Sequence, residues 1–411
     1  MRRFAMAGGI AFALVAAPMT MVAGAQASAS GWSISPAVNP TASGGQLTAV
    51  ACPSANDCTA VGQYSDRTGN QVTLAEQWNG TAWSIETTPL PANQVGGLEA
   101  VACSASSACT AAGYAYDAAG IRITLIEHWN GTAWAIQPTP NPAGAESSAF
   151  AGVACASTSA CTAVGSSTTS AGIPETLAEQ WNGTSWAIET TPNPPGATSS
   201  VLAAVACTSA TTCSAVGSDV TSTAWAGTNL AEQNQGGTWT IAPTPTALYA
   251  GPLYGVSCTD QTHCVAVGRR NRSPETETWN GIAWRMEPNH LTRASLASVS
   301  CLSLSFCMAA GSTAATWNGG SWSEQAGVPP LGADGRYVGV SCGSTTVHTG
   351  RQRLCRPTGP ACRRALERDI VVDPASSRSR LGRLHQHAPG RVLCVGDAVH
   401  RGRVRRDARG R

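Results

Sequence analysis

The chain has 411 residues, 43% hydrophobic and 12% charged, with a formal net charge of +2. That charge averages two unlike segments: residues 31–342 hold 8 Arg against 19 Asp and Glu, whereas residues 343–411 hold 16 Arg against 5. After residue 23 no run is apolar enough to span a bilayer, which excludes a membrane-spanning protein built from later helices.

In chain order, the first feature is an export signal. Met1-Arg2-Arg3 gives the positive start, an apolar run reaches Val22-Ala23, and small residues offer cleavage after Ala27 or Ala29. Residues 1–29 are expected to be removed and the mature protein to be secreted or held at the cell surface. Residues 31–40, GWSISPAVNP, match the end of a repeat unit with nothing before them, and Trp32 stands 51 residues ahead of Trp83. A closed ring of blades accounts for this fragment, because an N-terminal strand can complete the last blade and leave no sheet edge open.

The repeat follows. Its first cysteine falls at Cys52, Cys103, Cys155, Cys207, Cys258, Cys301 and Cys342, with a partner six residues later at Cys58, Cys109, Cys161, Cys213, Cys264 and Cys307. The period is about 51 residues and shortens to 41. A tryptophan pair marks the second half: Trp78 with Trp83, Trp129 with Trp134, Trp181 with Trp186, Trp279 with Trp284, and Trp317 with Trp322. One unit keeps only Trp239, with Asn234 in the first slot. Each unit reads as four strands: one ending at the first cysteine, one beginning C-T-A-V-G, one carrying Leu74, Glu76 and Trp78 by alternation, and a short one from Trp83 that stops at Thr-Pro. Asn79-Gly80 between the last two is expected to form a primed hairpin turn. The same turn explains the Asn-Gly-Thr triplets better than glycosylation does. Four antiparallel strands per unit with this period predict an all-β chain, a β-propeller of six to seven four-stranded blades.

In an exported chain the C-x5-C pairs read as six local disulfides, each worth about 2 kcal/mol by loop entropy. Zinc sites and thiol oxidoreductases use tighter spacings, C-x2-4-C and C-x-x-C, that do not occur here, and neither a metal nor a cofactor is called for. The loops between the second and third strands vary most in length and carry Tyr64, Tyr114, Tyr116 and Trp225, the residues first in line for contact with a ligand. Glu76, Glu127, Glu179, Glu232 and Glu277 recur two positions before the tryptophan slot, which marks them as structural partners rather than a catalytic acid used once. No H-E-x-x-H, G-x-S-x-G or P-loop is present, and no carboxylate pair stands out from the repeat as glycosidase chemistry requires.

Residues 30–342 form the repeat domain, and residues 343–411 an irregular Arg-rich tail. The seventh unit starts in register with Tyr337, Val340 and Cys342, then places His348 where the second cysteine belongs and shows no W-N-G motif afterwards. A reading-frame shift near Val347 explains so abrupt a change. A genuine basic tail is the alternative, although it lacks the aromatic interleaving of a specific nucleic-acid binder.

With its C-x5-C-x-A-V-G and W-N-G-x-x-W markers, the sequence resembles the secreted tandem-repeat proteins of high-GC Gram-positive bacteria, propellers of the broad sialidase-repeat and quinoprotein-like kind. The resemblance implies a fold and no activity, since the sialidase S-x-D-x-G-x-x-W motif is not matched. The expectation is a monomeric extracellular binding or scaffold protein for a glycan, peptide or cell-envelope component. A polysaccharide hydrolase or lyase and a truncated, non-functional propeller are the competing readings.

Overall fold

In the computed structural model the described residues are 31–38, 40, 43–89, 95–221, 227–245, 251–271, 273–292, 295–325, 335–343, 346–353, 369–372 and 392–396. The first repeat forms strands Ser43–Ser54, Asp57–Ser65, Gln71–Trp78 and Trp83–Glu86, a four-stranded antiparallel meander. Five more units repeat it, their first strands being Gly96–Ala105, Ser147–Ser157, Ala197–Ser209, Leu253–Asp260 and Leu296–Ser303. Each first strand touches the first strand of the next unit, and that of the seventh, Gly335–Gly343, touches that of the first. The chain is a closed β-propeller of seven blades.

The seventh blade draws on both ends of the chain. Strands Gly335–Gly343 and Thr346–Arg353 pair as in the other units, and Asp369–Val372 and Val392–Gly396 lie beyond them. The N-terminal strand Gly31–Pro36 pairs antiparallel with the last of these, Trp32 opposite Val395 and Ile34 opposite Leu393. The N-terminus thus supplies the outer strand, as the fragmentary repeat at residues 31–40 requires. The two later strands coincide with the apolar runs DIVV and VLCV in an otherwise Arg-rich stretch.

The core lies between blades, so each middle strand is buried on both faces. In the second blade, Leu98, Val101, Cys109, Ala111, Leu125, Trp129 and Trp134 face the first blade, which offers the small residues Val61, Ala75, Ala49 and Ala51 in return. The pattern recurs with Ala112 and Ile126 under the third blade, Val164 and Ala178 under the fourth, and Val216 and Ala231 under the fifth. C-T-A-V-G therefore alternates faces: Cys and Ala look back to the preceding blade, Thr and Val forward to the next. The forward hydroxyl meets the next disulfide: Thr59 Oγ1 is 3.4 Å from Cys109 Sγ, Thr110 3.7 Å from Cys161, Thr162 3.5 Å from Cys213, and Ser214 3.3 Å from Cys264. The closing glycine lies against a bulge in the first strand, where a Cβ on Gly165 would come within 2.0 Å of the Ala149 carbonyl oxygen.

Six disulfides join Cys52–Cys58, Cys103–Cys109, Cys155–Cys161, Cys207–Cys213, Cys258–Cys264 and Cys301–Cys307, with Cα atoms 4.0–4.1 Å apart. Five of them, all but Cys52–Cys58, bridge residues directly opposite on neighbouring strands. Cys342 keeps a free thiol. It donates to the Ser300 carbonyl oxygen at 3.7 Å, and burial pushes its pKa up to about 12.

Two sequence expectations need correcting. The regular hairpins carry a bulge just past the first cysteine, as between Cys301 and Ser303, which sets the six-residue spacing. The seventh lacks it, so Val347 and not His348 stands opposite Cys342, and His348 pairs with Ser341. The Asn-Gly turns are not primed two-residue turns either. Trp78 pairs with Trp83 across a four-residue loop; Gly80 has φ +88°, while Asn79 is not left-handed, and its Oδ1 accepts from the Thr81 and Ala82 amides at 3.0 Å each. Asparagine is needed there as an acceptor, an Asx turn, rather than for its tolerance of positive φ.

Replacing Gly165 by alanine is expected to lower stability by about 2 kcal/mol through overpacking against the bulge, measured as a shift in the urea midpoint. Removing one bridge with Cys155→Ser and Cys161→Ser together is expected to cost a similar amount, about 2 kcal/mol. A midpoint unchanged on reduction of the native protein would contradict the latter.

Candidate functional site

The first strands begin on the face from which the loops between second and third strands leave, since Gln46 pairs with Gln63 near the end of the second strand. On each first strand a large residue, Leu47, Leu98, Phe150, Leu202, Leu253, Leu296 or Tyr337, is buried as the blade's anchor. Alternation turns the residues on either side of the anchor the other way. These flanking positions line a cavity of about 360 Å³ formed by Gln46, Thr48, Glu99, Tyr254, Ser295, Ala297, Arg336 and Val338, together with Arg269 from the end of a second strand. The lining comes from blades one, two, five, six and seven, which cannot all be neighbours in a ring, so the cavity is the mouth of the central channel.

The mouth is held rigidly. Thr48 Oγ1 donates to the Leu98 carbonyl at 2.6 Å, tying the first blade to the second. The Val340 and Cys342 amides donate to the hydroxyls of Ser298 and Ser300 at 3.2 and 3.0 Å, tying the seventh to the sixth. Charge around the cavity is mixed, with the guanidinium groups of Arg269 and Arg336 and one carboxyl, Glu99. Burial raises the Glu99 pKa, and nearby Arg122 opposes the rise. Behind Glu99, the Arg122 guanidinium lies over the Tyr114 ring, 3.8 Å from its centre, and Tyr114 donates to Gln63 Oε1 at 3.1 Å. Burial raises the Tyr114 pKa, and Glu99 adds to it.

The aromatics expected on the loops are distributed differently. Tyr114 belongs to strand Ala108–Tyr116 and is only 8% exposed, and Tyr116 stands edge-on to it, 5.9 Å between centres, at the rim. Tyr64 packs partly buried against the core of the first blade. Trp225 lies outside the described residues. The structure brings Tyr114 and Tyr116 together. Sequence reasoning missed the residues that converge on the channel mouth, Gln46, Thr48, Glu99, Tyr254, Arg269, Ser295 and Arg336. A signal was present: next to each anchor the copies diverge, reading Gln46/Thr48, Gly97/Glu99, Ala149/Ala151, Val201/Ala203, Pro252/Tyr254, Ser295/Ala297 and Arg336/Val338.

The tryptophans that mark the repeat pack within the blades, although Trp279 and Trp317 also line a cavity of about 340 Å³ between the fifth and sixth blades. Trp186, Trp284 and Trp322, which open the outer strands of the third, fifth and sixth blades, are buried. Each packs tilted on its pair-mate, with ring centres 5.8 Å apart for Trp181 and Trp186, 5.8 Å for Trp279 and Trp284, and 5.7 Å for Trp317 and Trp322. Their indole N–H groups fare differently. That of Trp186 donates to Gln137 Oε1 of the second blade at 2.8 Å, and that of Trp239 to Glu189 Oε2 of the third at 2.6 Å. Those of Trp284 and Trp322 have no acceptor among the described residues, so these two rings act through apolar packing alone.

The recurring glutamates are also between the blades. Glu76, Glu127, Glu179, Glu232 and Glu277 are all fully buried. Glu76 Oε2 accepts from the Val38 amide at 3.3 Å. In later units proline (Pro89, Pro140, Pro192) stands at the repeat position of Val38 and has no N–H to give. The oxygens of Glu127, Glu179 and Glu232 have no hydrogen-bond partner among the described residues. Burial pushes all three up to about 8. They are spread one to an interface, each fully buried. Among the described residues no cluster of three or more His, Cys, Asp or Glu is placed to hold a metal ion.

One carboxyl pair does break the repeat. Glu275 and Glu277 share a face of strand Ser273–Trp279, and the Asn229 amide of the preceding blade donates to both, at 3.3 Å to Glu275. The Gly251 amide donates to the other Glu275 oxygen at 3.4 Å. Burial pushes Glu277 up to about 8, and Glu275 adds to it. At 1% and 0% exposure the pair is buried between blades, with Glu275 alone bordering a cavity of about 350 Å³.

No family model matches the chain, and no curated protein does. Solved structures match the fold. The structure of U3-55K aligns with a TM-score of 0.54 at 12% identity, covering 89% of this chain and 98% of that one. The WD40 repeats of RRP9 give 0.52 at 13% identity over 79% and 95%, and the WD40 β-propeller domain of Doa1 gives 0.51 at 12% over 78% and 93%. The chain is similar to WD40-type propellers in architecture, and identities this low speak to fold alone.

The buried acids make stability depend on pH. Their folded pKa of about 8 lies above the ordinary carboxyl value of 4.5, so their contribution is complete below about pH 4.5 and is lost as pH rises through 8. Melting temperature is expected to fall between pH 5 and pH 9, with a slope of up to about 1.4 kcal/mol per pH unit for each acid. Glu127→Gln, Glu179→Gln and Glu232→Gln combined should flatten that profile. An equally steep profile in the triple variant would place the proton uptake elsewhere.

Proposed function

We propose that this protein is an extracellular binding module that holds a negatively charged, hydroxyl-rich ligand, an acidic glycan of the cell envelope, at the mouth of its channel. The observation that carries this reading is the convergence of Arg269, Arg336, Tyr254, Gln46, Thr48 and Ser295 on one cavity of small-ligand size. Guanidinium forks suit carboxylates, and amide and hydroxyl groups suit sugar hydroxyls. Glu99 is the cavity's one carboxyl, whereas hydrolysis of a glycoside takes two flanking the scissile bond. The repeat-breaking pair Glu275 and Glu277 is buried, which weighs for binding over a hydrolase or lyase.

Export through residues 1–29 belongs to the same proposal, and the six disulfides are compatible with an oxidising compartment. Among the described residues no helix is long and apolar enough to cross a membrane. The outer strands are three to four residues long in the first six blades and offer little edge for pairing, in keeping with a monomer.

Calorimetric titration with polygalacturonate and with neutral dextran tests the proposal. Binding is expected for the acidic polymer alone, weakening with salt, and Arg336→Ala with Arg269→Ala is expected to reduce affinity about 10-fold or more. Equal binding of dextran, or an unchanged affinity in the double variant, would refute it.

A further inference from the structure

Three features change together just after Cys342. The disulfide fails, with Val347 opposite the free thiol. The tryptophan motif disappears, and an acidic repeat gives way to 16 Arg against 5 Asp and Glu. We infer that residues 348–411 are specified by a displaced reading frame, and that the same bases encode the rest of the seventh unit and the opening of an eighth.

The genetic code allows this to be checked against the residues. A codon displaced by one base starts at the second base of one printed codon and ends with the first base of the next. Two of its three bases are thus set by the printed sequence, apart from the two alternatives that Arg, Leu and Ser allow, and the middle one varies with synonymous choice. At the break, Val347 as GTG followed by His348 contains TGC, cysteine, and two bases missing ahead of it would restore the C-x5-C spacing.

Further on, Arg364-Ala365 admits GAG, glutamate, and Ala365-Leu366 admits CAC, histidine. Leu366-Glu367 admits TGG, tryptophan; Glu367-Arg368 admits AAC, asparagine; and Arg368-Asp369 admits GGG, glycine. Asp369-Ile370, Ile370-Val371 and Val371-Val372 admit ACA, TCG and TGG: threonine, serine, tryptophan. The displaced run is EHWNGTSW, beside EHWNGTAW at residues 127–134 and WNGTSW at residues 181–186. It restores the buried glutamate as well as the tryptophan pair.

The next unit opens on schedule. Ala388-Pro389 admits leucine, Arg391-Val392 valine, Val392-Leu393 serine and Leu393-Cys394 TGT, cysteine, which reproduces the spacing of Leu296, Val299, Ser300 and Cys301. Six codons after that cysteine, Val399-His400 admits TGC. The four displaced codons that follow, to Arg403-Val404, admit ACC, GCG, GTC and GGG, so the run reads C-T-A-V-G. The arginine excess has the same origin, because CGN read one base later begins with G and encodes Val, Ala, Gly, Asp or Glu, the small and acidic residues of the repeat. The basic segment is therefore no arm for nucleic acid or anionic polymer, and the ligand face belongs to the propeller.

The gene itself provides the test. The third base is expected to be G in the codons of Val347, Leu366, Val371, Leu393 and Val399, giving TGC, TGG, TGG, TGT and TGC in the displaced frame. Any other base at Leu366 or Val371 abolishes a tryptophan and overturns the inference. A protein-level test is independent of codon choice among the rest. The chain as printed and a frame-restored chain are alkylated under denaturing, non-reducing conditions and peptide-mapped. Cys342 is expected to be labelled in the first and protected as a disulfide in the second; labelling in both would overturn the inference.

Discussion

Close approach of one blade to the next governs this structure. In the second, third and fourth blades a face of large residues, Leu or Phe, Val, the second disulfide cysteine and one or two tryptophans, turns onto a face of the preceding blade that offers mainly Val, Ile and Ala. Large against small lets twisted sheets pack without voids. The same asymmetry, applied unit after unit in one rotational sense, leads round to a ring. The glycine ending C-T-A-V-G belongs to this constraint, since a bulge in the first strand leaves no space for a side chain there. So does the threonine, whose buried hydroxyl lies against the neighbouring disulfide sulfur.

The buried glutamates show what such packing does to a polar residue. In an interface too close for water, a carboxyl without a donor keeps its proton, because burying the charge costs far more than burying the acid. Where the preceding segment still has an amide, at Val38, Glu76 uses it. Where proline replaces that residue, the oxygens are left without partners. Asn229 provides a side-chain donor in the fourth interface, and there two carboxyls share it. A proline chosen to end an outer strand thus decides whether an acid in the next blade finds a backbone donor.

Ring closure makes the channel mouth a composite. Residues far apart in sequence, Gln46, Glu99, Tyr254 and Arg336, meet there because each flanks the anchor of its own first strand, on one side or the other. The repeat holds the anchor between the flanking positions and leaves those positions free to vary. The third and fourth units place only Ala149, Ala151, Val201 and Ala203 beside their anchors, so polar chemistry gathers on the opposite side of the mouth.

Much was legible in the sequence. Cysteine and tryptophan spacing revealed the blades, the six-residue cysteine interval matched a hairpin, and the orphan strand at residues 31–36 pointed to closure through the N-terminus. These are local or periodic properties, and periodicity survives in one dimension. The turn geometry of Asn79 and the partner of Cys342 were misread, because a one-residue difference in hairpin register is decided by bulges that composition does not record. The site lay further out of reach. Tyr114 resembled a loop aromatic until strand pairing buried it under Arg122, and Arg336 and Tyr254 carried no motif at all. Sequence by itself determined the unit, its bridges and the order of its strands. Tertiary structure decided which residues of different units share a cavity, since only closing the ring brings seven first strands to one axis.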